Sequence, residues 1–428
     1  MATIGTGARG ERTGSRAYLL AVLTALTAFN QLDRSLMNIL LEPVRREFAL
    51  SDVQLGLLSG FSFAVVYTTL SIPAAVWAVR HDRRNLIAAA ALLWGAMTAL
   101  CGAAQAFWLL LLARVGVGVG EAGGPAPSHA MLSDLYPRGE RGSAIATYTV
   151  GINAGVVLAF LVGGIGGQLW GWRAAFVAAG VATMLLALLC RFTVRDPPRT
   201  ADARGWEIGD AGSLAMVKQT VRAMWRDPAM RQVCVGATLA TVVGYTAATW
   251  VPSYLVRSHG LSLAVTGTYL AAVVGVGGGL GTYLGGRLSD ALGRRDIRWS
   301  LWLFTAAFVA GTPPVIAFFL VNDTALALVL FVFPAMLGVV YLGPSVAVLH
   351  NRVPAGLRPI ASAVFILLVT LIGLGAGPLL AGALSQYVFA AYGEDSLRYA
   401  LVAMQVAALG SAAHYYLAGG HLRRPPTR

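Results

Sequence analysis

From Phe29 to Asn38 the chain reads F-N-Q-L-D-R-S-L-M-N, and two adjacent charges there, Asp33 and Arg34, lie inside an apolar run from Ala17 to Leu41. That run is long enough to cross a bilayer. On insertion scales each charge costs about 2.5–3.5 kcal/mol near the membrane midplane. The rest of the chain shows that the setting is a membrane: 57% of its 428 residues are hydrophobic and 12% charged, where a soluble domain carries about 25% charge.

Twelve apolar runs of spanning length follow one another, numbered here helix 1 to helix 12. The first six cover 17–41, 54–79, 85–105, 107–136, 140–168 and 172–192. The second six cover 230–256, 262–290, 298–320, 324–352, 357–388 and 396–420. With the amino terminus inside, 25 Lys and Arg residues fall on inner segments, five on outer segments (Arg45, Arg46, Arg173, Arg257, Arg398) and two, Arg34 and Arg114, within helices. This asymmetry places both termini in the cytoplasm. It also accounts for the basic balance of 32 Lys and Arg against 19 Asp and Glu, so nucleic-acid binding is not required. Cys101, Cys190 and Cys234 have neither metal-ligand nor redox spacing. No Gly-Lys-Ser/Thr follows the glycine-rich runs, so they do not read as phosphate loops and an ATP-driven pump is unsupported. Gly116, Gly118 and Gly120 instead permit close helix approach.

The expected domains are an amino-terminal six-helix bundle (1–192), a cytoplasmic linker (193–229) and a carboxy-terminal six-helix bundle (230–428). Within the linker, Leu214, Val217, Val221 and Met224 share a face beside Lys218, Arg222 and Arg226, which reads as an amphipathic helix lying on the inner leaflet. A repeat joins the halves: A78-V-R-H-D-R-R-N85 after helix 2 matches G286-R-L-S-D-A-L-G-R-R295 after helix 8. Six plus six helices in parallel repeat, joined by a long inner loop, is the layout of the major facilitator fold.

Of the nineteen acids, only Asp33 in helix 1 and Glu121 in helix 4 lie away from loops, helix ends and tails. The two deep basic residues, Arg34 and Arg114, occupy the same two helices. In helix 1, Thr24, Thr27, Gln31, Arg34 and Asn38 form one polar stripe, with Asp33, Asn30 and Met37 on its flank. Neighbours in sequence do not face each other on a helix, so Asp33 and Arg34 need not pair. In helix 4, Arg114, Gly118, Glu121, Pro125 and Ser128 form a second stripe, with Arg114 and Glu121 roughly 10 Å apart along the axis. Both stripes are expected to line a water-filled cavity, where intramembrane charges usually survive.

A carboxyl there can gain and lose a proton as its solvation and its Arg partner change; Asp33 and Glu121 are the candidate proton-coupling residues. Arg stays charged, so Arg34 and Arg114 suit head-group binding instead. Asn30, Gln31, Asn38 and Ser128 stand beside them. Helices 7 and 10 offer Tyr245, Thr249, Trp250 and Tyr341 but no deep charge. One charged wall and one apolar wall suit an amphiphile. The plainer alternative is a permanent ion-pair network that locks helix 1 to helix 4. His129 and His350 could relay protons, but packing roles suit them better. No Ser-His-Asp grouping or metal spacing is visible, so the chain does not read as an enzyme.

From Ala113 to Pro137 the sequence is ARVGVGVGEAGGPAPSHAMLSDLYP; together with L32-D-R34, L50-S-D-V-Q-L-G-L-L58 and G171-W-R-A-A-F176 it resembles the spinster branch of the major facilitator superfamily. The resemblance implies a proton-coupled secondary transporter of sphingolipid-like or lysophospholipid cargo, working by alternating access without a cofactor other than the proton. It implies Asp33 as the proton site and Arg34, Arg114 and Glu121 in its network. An inner gate falls on Asp82, Arg83, Asp134, Arg141, Asp290, Arg294 and Arg295. A multi-pass monomer in a bacterial inner membrane is expected, its partners being amphiphilic substrate, protons and lipid. The alternative is a proton symporter for small organic anions such as sugar acids.

Overall fold

The computed structural model describes residues 7–137, 139–199, 210–337, 341–354 and 357–422. Each of the twelve apolar runs falls on helix, and nine helices among the described residues are long and apolar enough to cross a membrane. Helix 1 is longer than its apolar core, running from Gly7 to Phe48. Arg45 and Arg46 therefore sit in its last turn, where cations favour the helix dipole, and not in an outer loop. Ala49 takes a left-handed φ of 50° and turns the chain. Ser51 then caps helix 2 (Asp52–Arg80) in a reciprocal box with Gln54.

Helix 3 (Arg83–Ala103) starts on the Asp82 cap, whose carboxylate accepts from the Asn85 amide at 2.8 Å. Helix 4 is interrupted: Phe107–Glu121 and Pro125–Leu135 are separate segments, because Pro125 cannot donate across the break. The stripe expected through Arg114, Glu121, Pro125 and Ser128 is thus not one continuous helical face. Helices 5 and 6 lie in Arg141–Thr193 and meet at Gly171, whose φ of 84° breaks the helix there. Asp227 caps helix 7 (Pro228–Ser258). Helices 8 (Leu263–Gly293), 9 (Trp299–Leu320), 10 (Thr324–Leu337 with Leu342–Arg352), 11 (Ile360–Val388) and 12 (Ser396–Ala403 with Gln405–His421) follow.

By packing, the chain forms two compact units that differ from the sequential halves. One comprises Met1–Leu40 and Val65–Glu207, the other Leu41–Ala64 and Ile208–Arg428. In the first, glycines bring helix 5 against the helix 1 backbone. A Cβ on Gly151 would stand 2.5 Å from the Thr24 carbonyl oxygen, and one on Gly155 2.2 Å from that of Ala28. Trp108, Trp170 and Phe192 are each at least 69% exposed, as expected of a surface that faces acyl chains and not water.

In the second unit, Phe304, Phe365, Tyr341 and Tyr415 form the centre of the core. The linker helix, Asp210–Arg226, contributes Met224 to that core, while Met216, Val217 and Trp225 remain exposed. The helix is therefore anchored to the unit by part of the face that the sequence assigned to the leaflet.

Segment Leu41–Ala64 joins the second unit through two devices. A Cβ on Gly60 would lie 2.3 Å from the Leu374 carbonyl oxygen, and one on Gly382 2.4 Å from that of Asp52. At the same end, Arg257 donates from Nε to Glu42 at 2.6 Å and from Nη1 to Asp52 at 2.8 Å, and the Ser385 hydroxyl reaches the other Asp52 oxygen at 2.6 Å. Glu42 is only 3% exposed, and its burial is compensated by Arg45 and Arg46 on its own helix at 3.4 and 3.7 Å and most closely by Arg257. Arg257→Met leaves two carboxylates without that partner and is expected to cost about 3 kcal/mol, read as a lowered thermal midpoint of the full chain in detergent. An unchanged midpoint would show that glycine packing alone holds the segment.

Candidate functional site

The four deep charges of helices 1 and 4 pair crosswise. Asp33 Oδ2 accepts from Arg114 Nη1 at 2.7 Å, and Arg34 Nε donates to Glu121 Oε2 at 2.6 Å. The adjacent Asp33 and Arg34 take separate partners because successive side chains point about 100° apart. Each pair ties helix 1 to helix 4, and the cluster carries zero net charge. That neutrality is what makes its burial tolerable.

The four groups differ in their access to solvent. Asp33, Arg114 and Glu121 are buried, whereas the Arg34 side chain is 19% exposed and its guanidinium lies 4.6 Å from the centre of the Tyr67 ring. The two stripes thus do not both line open space: Arg34 alone of the four reaches it. Asp33 has a second donor, the Thr98 hydroxyl of helix 3, at 2.5 Å. Among the described residues Glu121 Oε1 is buried with no hydrogen-bond partner, while Oε2 is held by Arg34. Arg114 lies within electrostatic reach of both carboxylates.

Around this cluster, Asn30, Gln31 and Asn38 are half-buried on helix 1, and Gln31 donates to Ser35 at 3.2 Å. Ser128 is buried, its hydroxyl spent on the Gly124 carbonyl at 2.8 Å. His129 packs edge-on against Tyr148, 4.9 Å between ring centres, and His350 is bonded to the Ser362 hydroxyl at 2.6 Å. Three of the expected aromatic and hydroxyl contacts in the second unit prove to be core. Trp250 is fully buried and donates to the Pro378 carbonyl at 2.9 Å, Thr249 is buried beside it in sequence, and Tyr341 is bonded to Thr241 at 2.8 Å within the core. Tyr245 is half-buried.

The expected gate residues divide as well. Arg83 is buried inside the first unit, bonded to Asp134 at 2.5 Å and to Asp196 at 2.8 Å. Arg141 donates to the Tyr136 carbonyl at 3.1 Å, and Asp82 serves as the helix 3 cap. Arg294 and Arg295 are exposed, and the Asp290 side chain lies outside the described residues. Sequence reasoning missed Thr98 and Tyr67. Thr98 lies on helix 3, whose only charges, Arg83 and Arg84, are in its first turn, so nothing in the sequence near Thr98 draws attention to it.

A helical membrane protein built around repeated glycine contacts, with a neutral buried charge cluster in one unit, has the features of a secondary transporter. The chain belongs to the Major Facilitator Superfamily, whose model matches residues 23–378. It is 32% identical to an MFS-type efflux pump of Mycolicibacterium smegmatis over 97% of this chain and 95% of that one. It is 28% identical to a probable galactarate/D-glucarate transporter of Bacillus subtilis over 66% of each. A crystal structure of a bacterial homologue of the human lysosomal transporter spinster, inward-facing and unoccupied, superposes with a TM-score of 0.84 at 30% identity. The superposition covers 97% of this chain and 99% of that one. The protein is a multi-pass membrane transporter with spinster homologues, and the members of its family are transporters rather than enzymes.

The crosswise pairing makes a direct prediction. Arg114→Met strands Asp33 in a buried site and is expected to destabilise the protein by about 3 kcal/mol. The double variant Asp33→Asn/Arg114→Met is expected to recover most of that loss in thermal unfolding. Additive losses would show that the two side chains are not coupled.

Proposed function

We propose that the protein is a proton-coupled transporter of lipid-like amphiphiles with an anionic head group, of the sphingolipid or lysophospholipid class, working by alternating access. One observation carries this reading: a neutral cluster in which Arg34 reaches accessible space while Glu121 keeps one unsatisfied oxygen. When Asp33 takes a proton, Arg114 loses its countercharge and is left as a buried excess positive charge. Glu121 Oε1 is the acceptor available to it within the cluster. Once Arg114 occupies Glu121, the hold of that carboxylate on Arg34 weakens. Arg34 then presents its guanidinium to a phosphate or carboxylate, which it can bind bidentately. Proton and head group therefore bind together, because each restores the charge balance that the other upsets.

The absence of deep charge from helices 7 and 10 supports an apolar tail, as does the likeness to the spinster homologue over nearly the whole chain. A second reading, symport of small sugar acids, is favoured by the similarity to the galactarate/D-glucarate transporter and uses the same Arg34. Full-length protein in liposomes, driven by an inward proton gradient, separates the two by competition between an anionic lysophospholipid and glucarate. Competition by the lysolipid alone is expected, and the reverse result would favour the second reading. Asp33→Asn is expected to abolish the dependence of flux on the gradient at either substrate. A variant that keeps that dependence would refute Asp33 as the proton site.

A further inference from the structure

Thr98 stands between two acceptors, and its single hydroxyl proton cannot serve both at once. Its Oγ1 lies 2.5 Å from Asp33 Oδ1 and 2.8 Å from the carbonyl oxygen of Trp94, one turn earlier on helix 3. Thr98 is 1% exposed and so has no contact with bulk solvent. A hydroxyl has one donor and two acceptor lone pairs. The two contacts therefore describe two settings of one rotor. In the first, Thr98 donates to Asp33 Oδ1, the direction that an ionised carboxylate, an acceptor only, requires. In the second, Thr98 donates to Trp94, and its free lone pair points at Asp33.

We propose that Thr98 is the positioning residue that lets Asp33 hold either protonation state with its inner oxygen satisfied. This rests on the reading of Asp33 as the proton site. The proton arrives from the aqueous phase and bonds to an oxygen of Asp33. The Thr98 O–H swings from Asp33 Oδ1 to the Trp94 carbonyl, and the new Asp33 O–H donates to Thr98 Oγ1. No hydrogen bond is lost on that side, while the Asp33 bond to Arg114 loses its charge assistance. Uptake of a proton is thereby directed into breaking the contact to Arg114, and no alternative contact on the Thr98 side need be broken. Release reverses the rotor and returns the proton to water.

The charged and titratable groups that face Asp33 are consistent with this division. Arg114 meets it from helix 4, with Glu121 beyond, and Cys101 lies near it on helix 3. Arg34 is adjacent on its own helix. Helix 5 meets helix 1 through glycines and Tyr148, which carries no charge at neutral pH. Of the two side chains hydrogen-bonded to Asp33, Arg114 can only donate, whereas Thr98 can exchange donor for acceptor in place.

The test needs no substrate. Infrared difference spectra of the full chain in lipid, recorded as the pH is lowered, report the carbonyl stretch of a protonated buried carboxyl. The band lost in Asp33→Asn belongs to Asp33. In Thr98→Val its frequency is expected to shift, since the carboxylic acid loses its acceptor. Its midpoint is expected to move to about tenfold lower proton concentration, since the ion loses a charge-assisted donor worth more than the neutral bond. Thr98→Ser is expected to restore both, and Thr98→Ala repeats the test should valine crowd Trp94. A band assigned to Asp33 that keeps frequency and midpoint in Thr98→Val and Thr98→Ala would overturn the role of Thr98 while leaving Asp33 as the proton site. No band lost in Asp33→Asn would overturn both.

Discussion

A membrane helix can hold an aspartate and an arginine side by side only if each finds its countercharge on another helix. Here Asp33 takes Arg114 and Arg34 takes Glu121. Two positive and two negative charges sum to zero, and three of the four side chains are buried. Either pair alone would cost several kcal/mol in desolvation, and the loss of one member leaves a bare charge. On the proposed reading, a proton on Asp33 upsets this balance and frees Arg114 to move. A network of this kind, acting only as a static lock between helices 1 and 4, would have no need of the unsatisfied Glu121 oxygen or of an arginine reaching accessible space.

The scaffold holds this chemistry with contacts that leave little room for adjustment. Helix 5 presses on helix 1 through glycines whose replacement would put a carbon 2.2–2.5 Å from backbone oxygen. Helices 3 and 4 meet in the same way at Gly120, where a Cβ would stand 2.6 Å from the Trp94 amide nitrogen. With the backbones fixed so closely, the parts of the site free to change are side-chain rotors and protons. The segment from Leu41 to Ala64 behaves differently, since its chain neighbours pack in one unit while it packs in the other, fastened by Arg257 to Glu42 and Asp52.

Much of this was legible in the sequence because membranes make burial of charge rare. An acid in the middle of an apolar run is informative wherever it occurs, so Asp33, Arg34, Arg114 and Glu121 stand out with no structure at hand. The rule that sequence neighbours diverge on a helix also left room for Asp33 and Arg34 to take separate partners. Polar residues without charge gave no comparable signal. Trp250, Thr249 and Tyr341 suit ligand binding or packing equally well by composition, and the structure assigns them to the core through Pro378 and Thr241. Glu42, among the acids expected at loops, helix ends and tails, is buried because a helix end in sequence need not be a solvent-exposed end in space; its closest partner, Arg257, is 215 residues away. Thr98 was invisible for the same reason, since its meaning lies in a contact 65 residues distant.

The proposed coupling is one of charge balance, in which an anionic head group at Arg34 and a proton at Asp33 compensate each other. Calorimetric titration of the full-length protein with an anionic lysophospholipid, in two buffers of different ionisation enthalpy, measures the protons bound per ligand. Net proton uptake on binding that disappears in Asp33→Asn is the predicted result. Binding with no proton uptake, or with proton release, would contradict it.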